Sequence, residues 1–222
     1  MANSIQSPNI YLDLDLRFLE IETSLSDILS LYEIQIAQMD AFIGKAHDDM
    51  LNCDDHEEYQ MYSQIYEYTK EVWAPRFFLH GTILFTWSTY ETLLSTFARR
   101  LVEAKHPELK IRLQQLKGPI LKRIKLFFSD VLKISTIHSD EDWAFLDNVY
   151  TVRNAIAHEN GDLYLMKDKT IQDLKKIDKD STRFNFSQSH FNVTKEYTDE
   201  IIYNMHRILS EVFVIYKNEI ET

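Results

Sequence analysis

The stretch from Ser139 to Gly161, SDEDWAFLDNVYTVRNAIAHENG, organises the reading of the whole chain. It opens with Ser139-x-x-Asp142, the Ser-x-x-acid form of a capping box. There the hydroxyl accepts from an orphan amide and the acid reaches back. Phe145, Val149, Val152 and Ile156 follow at steps of four and three, which is one apolar stripe of a helix. The stretch closes on Asn160 and Gly161, either of which can take the left-handed conformation that ends a helix. A capped amphipathic helix is predicted here, with Arg153, Asn154 and His158 in its last turns.

The flanking sequence is also helical. Towards the N-terminus, Leu79, Ile83, Trp87, Tyr90, Leu94, Phe97 and Leu101 predict a helix over about Arg76 to Ala104. A neighbouring stripe, Leu84, Ser88, Glu91, Ser95 and Ala98, is mostly small or polar. It suits close approach of another helix, with Glu91 in the middle of the contact. Further out, Leu14, Phe18, Ile21, Leu25, Ile28 and Tyr32 predict a first helix ending near Gly44. An acidic connection from Asp48 to Glu58 leads to a second helix carrying Tyr62, Ile65, Thr69 and Val72, which Pro75 ends or kinks.

His106-Pro107 breaks the third helix, and a basic helical region split by Gly118-Pro119 follows. Beyond Gly161 the pattern weakens. Leu163 to Met166 and Arg183 to Phe186 read as short strands of a hairpin, Lys167 to Asp180 as a charged mobile segment, and a final helix starts near Thr194. With 4 Gly and 4 Pro in 222 residues, the chain lacks the turn punctuation of an all-β protein. The fold class is all-α. It is a helical bundle with extra N-terminal helices and a small β-hairpin between the motif helix and the C-terminal helix.

The formal net charge of -11 argues against a nucleic-acid partner until its distribution is read. Residues 1–75 carry 3 basic and 15 acidic side chains, residues 76–135 carry 11 and 4, and residues 136–222 carry 10 and 16. A basic middle segment inside an acidic protein can form the local positive surface that a phosphate backbone requires. It can equally be a solvated helix face.

The single cysteine, Cys53, rules out a disulfide within the chain and a thiolate metal cage. Met1 to Pro8 has neither a basic nor an apolar signal region. The apolar stretch Phe77 to Trp87 is too short to span a bilayer and is interrupted by His80 and Gly81. The expectation is a soluble cytoplasmic protein with no membrane partner. There is no Gly-rich phosphate loop, no His-Glu-x-x-His and no Gly-x-Ser-x-Gly, and the Asp48–Glu58 stretch lacks the positions of a calcium loop. No metal and no cofactor is expected.

An Arg followed after four to six residues by a His occurs four times: Arg99–His106, Arg100–His106, Arg183–His190 and Arg153–His158. Only Arg153–His158 has an Asn directly after the Arg, small or aliphatic residues between, and a capped helix around it. Here the chain resembles the HEPN (higher eukaryotes and prokaryotes nucleotide-binding) superfamily. Its ribonuclease members carry an Arg, often a polar residue after it, and a His four to six positions on, at such a helix end. The Ser88/Glu91 stripe is similar to the helix that packs beside that motif. The resemblance covers roughly residues 76 to 220. It implies a HEPN-like helical domain over 76–222, with 1–75 an N-terminal helical pair of the same domain.

What the resemblance implies is chemically consistent. Metal-free RNA cleavage needs a base for the 2′-OH proton, an acid for the leaving 5′-oxygen and a cation on the phosphorus oxygens. A His titrates near neutrality and serves either proton role. An Arg fork matches phosphate. By resemblance Arg153 would bind the scissile phosphate, and His158 would act as acid or base. Asn154 would hold phosphate or His158, and Glu91 would orient Arg153 or His158.

One copy cannot supply both base and acid, so a homodimer with a composite site is implied. Products would be a 2′,3′-cyclic phosphate and a 5′-hydroxyl. Such proteins are often prokaryotic toxins or phage-defence (abortive-infection) effectors, held in check by an antitoxin or other regulatory partner. Some carry a Tyr two residues after the motif His, where the antitoxin modifies it. This chain has Asn160 there, which puts that route of silencing in doubt. Two other readings stand beside this one: a non-catalytic HEPN-like dimer that binds RNA, a nucleotide or a protein, and an unrelated helical scaffold whose Arg–His pair caps a helix.

Overall fold

A computed structural model describes residues 9–134 and 136–221. Met1 to Pro8, read above as no secretory signal, and the side chain of Leu14 lie outside the described residues. The chain is mostly helical. Its elements are α1 (Asn9–Leu51), α2 (His56–Tyr68), α3 (His80–Lys105), α4 (Ile120–Leu126), α5 (Asp140–Glu159), α6 (Asp168–Ile177), strands β1 (Phe184–Phe186) and β2 (Phe191–Val193), and α7 (Lys195–Glu221).

The core gathers one face of each long helix. Ile21, Leu25, Ile28 and Tyr32 of α1 join the buried faces of α3, α5 and α7 in a single cluster. All seven apolar residues predicted for the third helix, Leu79 to Leu101, are buried. On α5 the interior face is Asp142, Leu146, Val149, Val152, Ala155 and Ile156, and Phe145 is only half-buried.

The capping box closes as its sequence dictates. The Asp142 amide donates to Ser139 Oγ at 3.0 Å, and the Ser139 amide donates to Asp142 Oδ2 at 3.3 Å. Asp142 also accepts from Arg207 Nη2 at 2.5 Å, which ties the start of α5 to α7.

Five expectations are corrected. The first helix does not stop near Gly44. It runs to Leu51, because a lone glycine weakens a helix by only about 1 kcal/mol, too little to end one. Nor does the acidic segment stay open, since α2 starts at His56 with Asp55 accepting the Glu58 amide at 2.8 Å.

Pro75 does not end the helical run. On either side of it the backbone widens into π turns, Thr69–Trp73 and Pro75–Leu79, so that α2 continues into α3. Proline lacks the amide that would bond the Glu71 carbonyl, and its ring crowds that oxygen. Asn192 Nδ2 of β2 supplies the missing donor at 2.5 Å. The defect in the helix thus becomes the dock for the hairpin.

The hairpin is real, but its partner differs from the prediction. β1 pairs antiparallel with β2, Phe184 opposite Val193, across a Ser187–His190 turn in which Ser187 Oγ accepts the His190 amide at 3.0 Å. Leu163 to Met166 forms turns instead, with Tyr164 and Leu165 exposed. Lys167 to Asp180 contains α6, whose Leu174 and Ile177 pack into the core.

Two buried imidazoles make the fold sensitive to acid. Burial, together with the Arg76 charge, lowers His80 to about 3, and burial lowers His138 to about 4 against the pull of Asp142. His138 Nε2 bonds the buried Tyr90 hydroxyl at 2.9 Å. In the unfolded chain both rings titrate near 6.5, so between the two values the unfolded state binds protons that the folded state refuses. This stability is fully present above about pH 6.5 and is lost as pH falls towards the folded values. Urea midpoints should drop between pH 6.5 and 4.5, with a slope of about 1.4 kcal/mol per pH unit for each ring. A flat profile over that range would show that these rings charge freely in the folded protein.

Candidate functional site

α3 and α5 run antiparallel. Trp87 and Tyr150 meet at mid-length with ring centroids 5.4 Å apart, and His138, just before α5, bonds Tyr90. His80, at the start of α3, therefore lies beside the C-terminal end of α5, where Gly161 passes within contact of its ring.

That end carries the predicted residues. Arg153 and Asn154 are half-buried and His158 is exposed. Arg153 Nη1 donates to Asn154 Oδ1 at 3.0 Å, so Asn154 holds the guanidinium and not His158. Arg153 Nε–H is buried without an acceptor, and among the described residues no hydrogen bond reaches the His158 ring. The Arg153 fork thus has one edge fixed and donor capacity left over.

Glu91 stands elsewhere in the contact. It is half-buried and accepts from the Trp87 indole at 2.6 Å on its own helix. Among the described residues no hydrogen bond joins it to Arg153 or His158. Ser88, expected in a close helix contact, is exposed, because the Trp87 and Tyr150 rings make the contact instead.

The helix ends with Asn160 at φ 49° and Gly161 at φ 73°. Two neighbours that the sequence reading missed fix this turn. Arg76 Nη2 donates to the Asn160 carbonyl, placing a cation at the negative end of the helix dipole. The hairpin closes over it: the Phe191 amide donates to the Gly161 carbonyl at 3.0 Å, and Asp162 bridges to His190. Pro75 was the available signal, since a proline within a helical pattern leaves a carbonyl that some other element must satisfy.

Gly161 has to be glycine. A Cβ there would sit 2.8 Å from the Phe191 carbonyl oxygen, in a backbone conformation that disfavours side chains. Gly161→Ala should destabilise the fold by about 2–3 kcal/mol in urea unfolding. Gly44→Ala, in open space on α1, should stabilise it by about 0.5–1 kcal/mol. Equal effects at the two positions would contradict this account.

Arg76 belongs to the basic middle segment, whose other cations begin at Arg99, 19 residues beyond His80 along α3. Lys125 of α4 sits over the Trp143 ring, in the first turn of α5, at 5.5 Å. Arg99, Lys110, Lys117 and Lys122 are exposed in the same segment. Among the described residues no three His, Cys, Asp or Glu side chains are grouped to hold a metal ion, and no helix is long and apolar enough to cross a membrane. No protein-family model, curated protein or solved structure matches the chain.

Proposed function

We propose that the protein is a cytoplasmic, metal-independent endoribonuclease of the HEPN type, working as a homodimer whose active site joins Arg153, Asn154 and His158 of each copy. One observation carries this reading. A structural Arg–His pair at a helix end would cap its carbonyls. Here Arg76, in the π turn that leads into α3, takes the Asn160 carbonyl, while Arg153 bonds the Asn154 side chain and His158 faces solvent. The capping job is filled by another residue, and the pair is left for chemistry.

In the reaction one His158 takes the proton of a ribose 2′-OH. The oxygen attacks the adjacent phosphorus, and the bond from phosphorus to the 5′-oxygen breaks. The second His158, protonated, gives its proton to that 5′-oxygen. Arg153 neutralises the charge on the phosphorus oxygens, which a planar guanidinium does by two parallel hydrogen bonds. Each imidazole leaves the step in the other's protonation state, and exchange with water resets them.

Purified protein should cut single-stranded RNA in EDTA and leave 2′,3′-cyclic phosphate and 5′-hydroxyl ends. Cleavage that requires a divalent ion, or that leaves 5′-phosphates, contradicts the proposal. Salt-sensitive RNA binding without cleavage supports the non-catalytic alternative. A protein of this kind would suit a toxin or phage-defence effector, and Asn160 implies that an antitoxin would act otherwise than by modifying a tyrosine at that position.

A further inference from the structure

The run from α2 into its π turn carries two apolar stripes, and the fold uses one of them. Tyr62, Tyr66 and Thr69 follow at steps of four and three. Thr69 is buried and both tyrosines are half-buried, and the Tyr66 ring meets His47 of α1 at 5.2 Å between centroids. Met61, Ile65 and Tyr68 repeat the same steps one residue earlier. They therefore line the adjacent face, about 100° round the helix. These three side chains are 51%, 46% and 57% exposed, and no residue of α2 itself is buried. A surface helix needs one apolar stripe to hold it to its core, so a second stripe open to solvent marks a contact with another molecule.

The charge around this face decides what kind of molecule. Between Asp48 and Glu71 the chain carries eight carboxylates and one lysine, Lys70, which pairs with Glu71 at 3.5 Å on the exposed surface. Glu57 and Glu58 stand four and three positions before Met61, and Glu71 stands three beyond Tyr68. Residues three and four apart are neighbours on a helix surface, so carboxylates close both ends of the stripe. All three are exposed. A second copy of the chain would set these carboxylates against themselves. An RNA backbone or an anionic lipid surface would be repelled in the same way.

We propose that the outer face of α2 docks a basic amphipathic helix of another protein. Apolar side chains of that helix, three and four residues apart, meet Met61, Ile65 and Tyr68, while its lysines or arginines meet Glu57, Glu58 and Glu71. The docking face shares no residue with the Arg–His motif and does not rest on the ribonuclease reading.

The test is NMR of the methionine methyl groups of the intact protein. The probe is a synthetic amphipathic helix of leucine and lysine. The Met61 methyl should shift saturably, while those of Met166 and Met205, buried in the main core, should stay in place. A scrambled peptide of the same composition, which has no apolar stripe, and a leucine–glutamate helix should both bind at least about tenfold more weakly. Ile65→Ser should weaken the lysine helix by a similar factor with the urea midpoint unchanged, because Ile65 is exposed. Glu57→Gln combined with Glu71→Gln should weaken it and reduce the salt dependence of binding.

Equal binding of the scrambled peptide, an unmoved Met61 methyl, or unchanged affinity in both variants overturns the proposal. So does sedimentation showing a dimer that Ile65→Ser converts to monomer, since the face would then belong to a second copy. Presence or absence of RNA cleavage bears only on the catalytic reading and leaves this face standing.

Discussion

Replacing His158 with alanine is expected to lower RNA cleavage in EDTA by about 10²–10⁴-fold, the range that one positioned acid or base contributes. Both halves of the composite site lose their proton carrier at once, so the upper part of the range is the better expectation. The fold should be untouched, because His158 is exposed and no hydrogen bond reaches its ring among the described residues. Urea midpoints of variant and parent should therefore agree to within about 0.5 kcal/mol, as for most surface substitutions. Arg153→Ala should lower cleavage similarly through transition-state charge. Activity that survives both substitutions would remove the chemistry from this helix end altogether.

Trp87→Ala is expected to have the largest effect on stability, about 3–5 kcal/mol, the usual cost of deleting a buried large aromatic. Trp87 is fully buried, and its ring packs against Tyr90 and Tyr150 with centroids 5.4 Å away in each case. Its indole N–H donates to Glu91, so the substitution also strands a half-buried carboxylate. For a chain of this length that loss corresponds to a Tm lower by about 10–15 °C. Trp87→Phe keeps most of the packing and should cost roughly half as much. A loss below about 1 kcal/mol for Trp87→Ala would mean that the α3–α5 contact does not hold the motif helix in place.

How far the sequence can be read depends on the kind of signal. Interior positions of the long helices were legible because their apolar residues recur at helical spacing: Ile83, Trp87, Leu94 and Phe97 are all fully buried. The Ser139 cap was legible because its chemistry is local, three residues apart. α6 was not, since Leu174 and Ile177 are too few to stand out against seven charged or polar neighbours in a ten-residue helix.

The strand pairing was misread for a different reason. Phe191–Val193 alternates over only three residues, too few to single out a strand, and the serine-rich turn before it forms through side-chain bonds that a hydrophobic pattern does not show. At the site, Arg153, Asn154 and His158 could be picked out by sequence proximity. Arg76 and the hairpin that fix the end of this helix could not, because Arg76 precedes Arg153 by 77 residues and Phe191 follows His158 by 33.

The placement of the basic segment has a kinetic consequence. Trp143, beneath Lys125, and His158 are fifteen residues apart on one helix, about 22 Å at 1.5 Å per residue. At physiological ionic strength the Debye length is about 8 Å, so the potential of the exposed lysines is largely spent before it reaches His158. On the proposed ribonuclease reading, attraction of RNA and its cleavage are therefore separable. Added salt should slow the encounter at one end, while a strand already seated at the other reacts at a rate that salt scarcely changes.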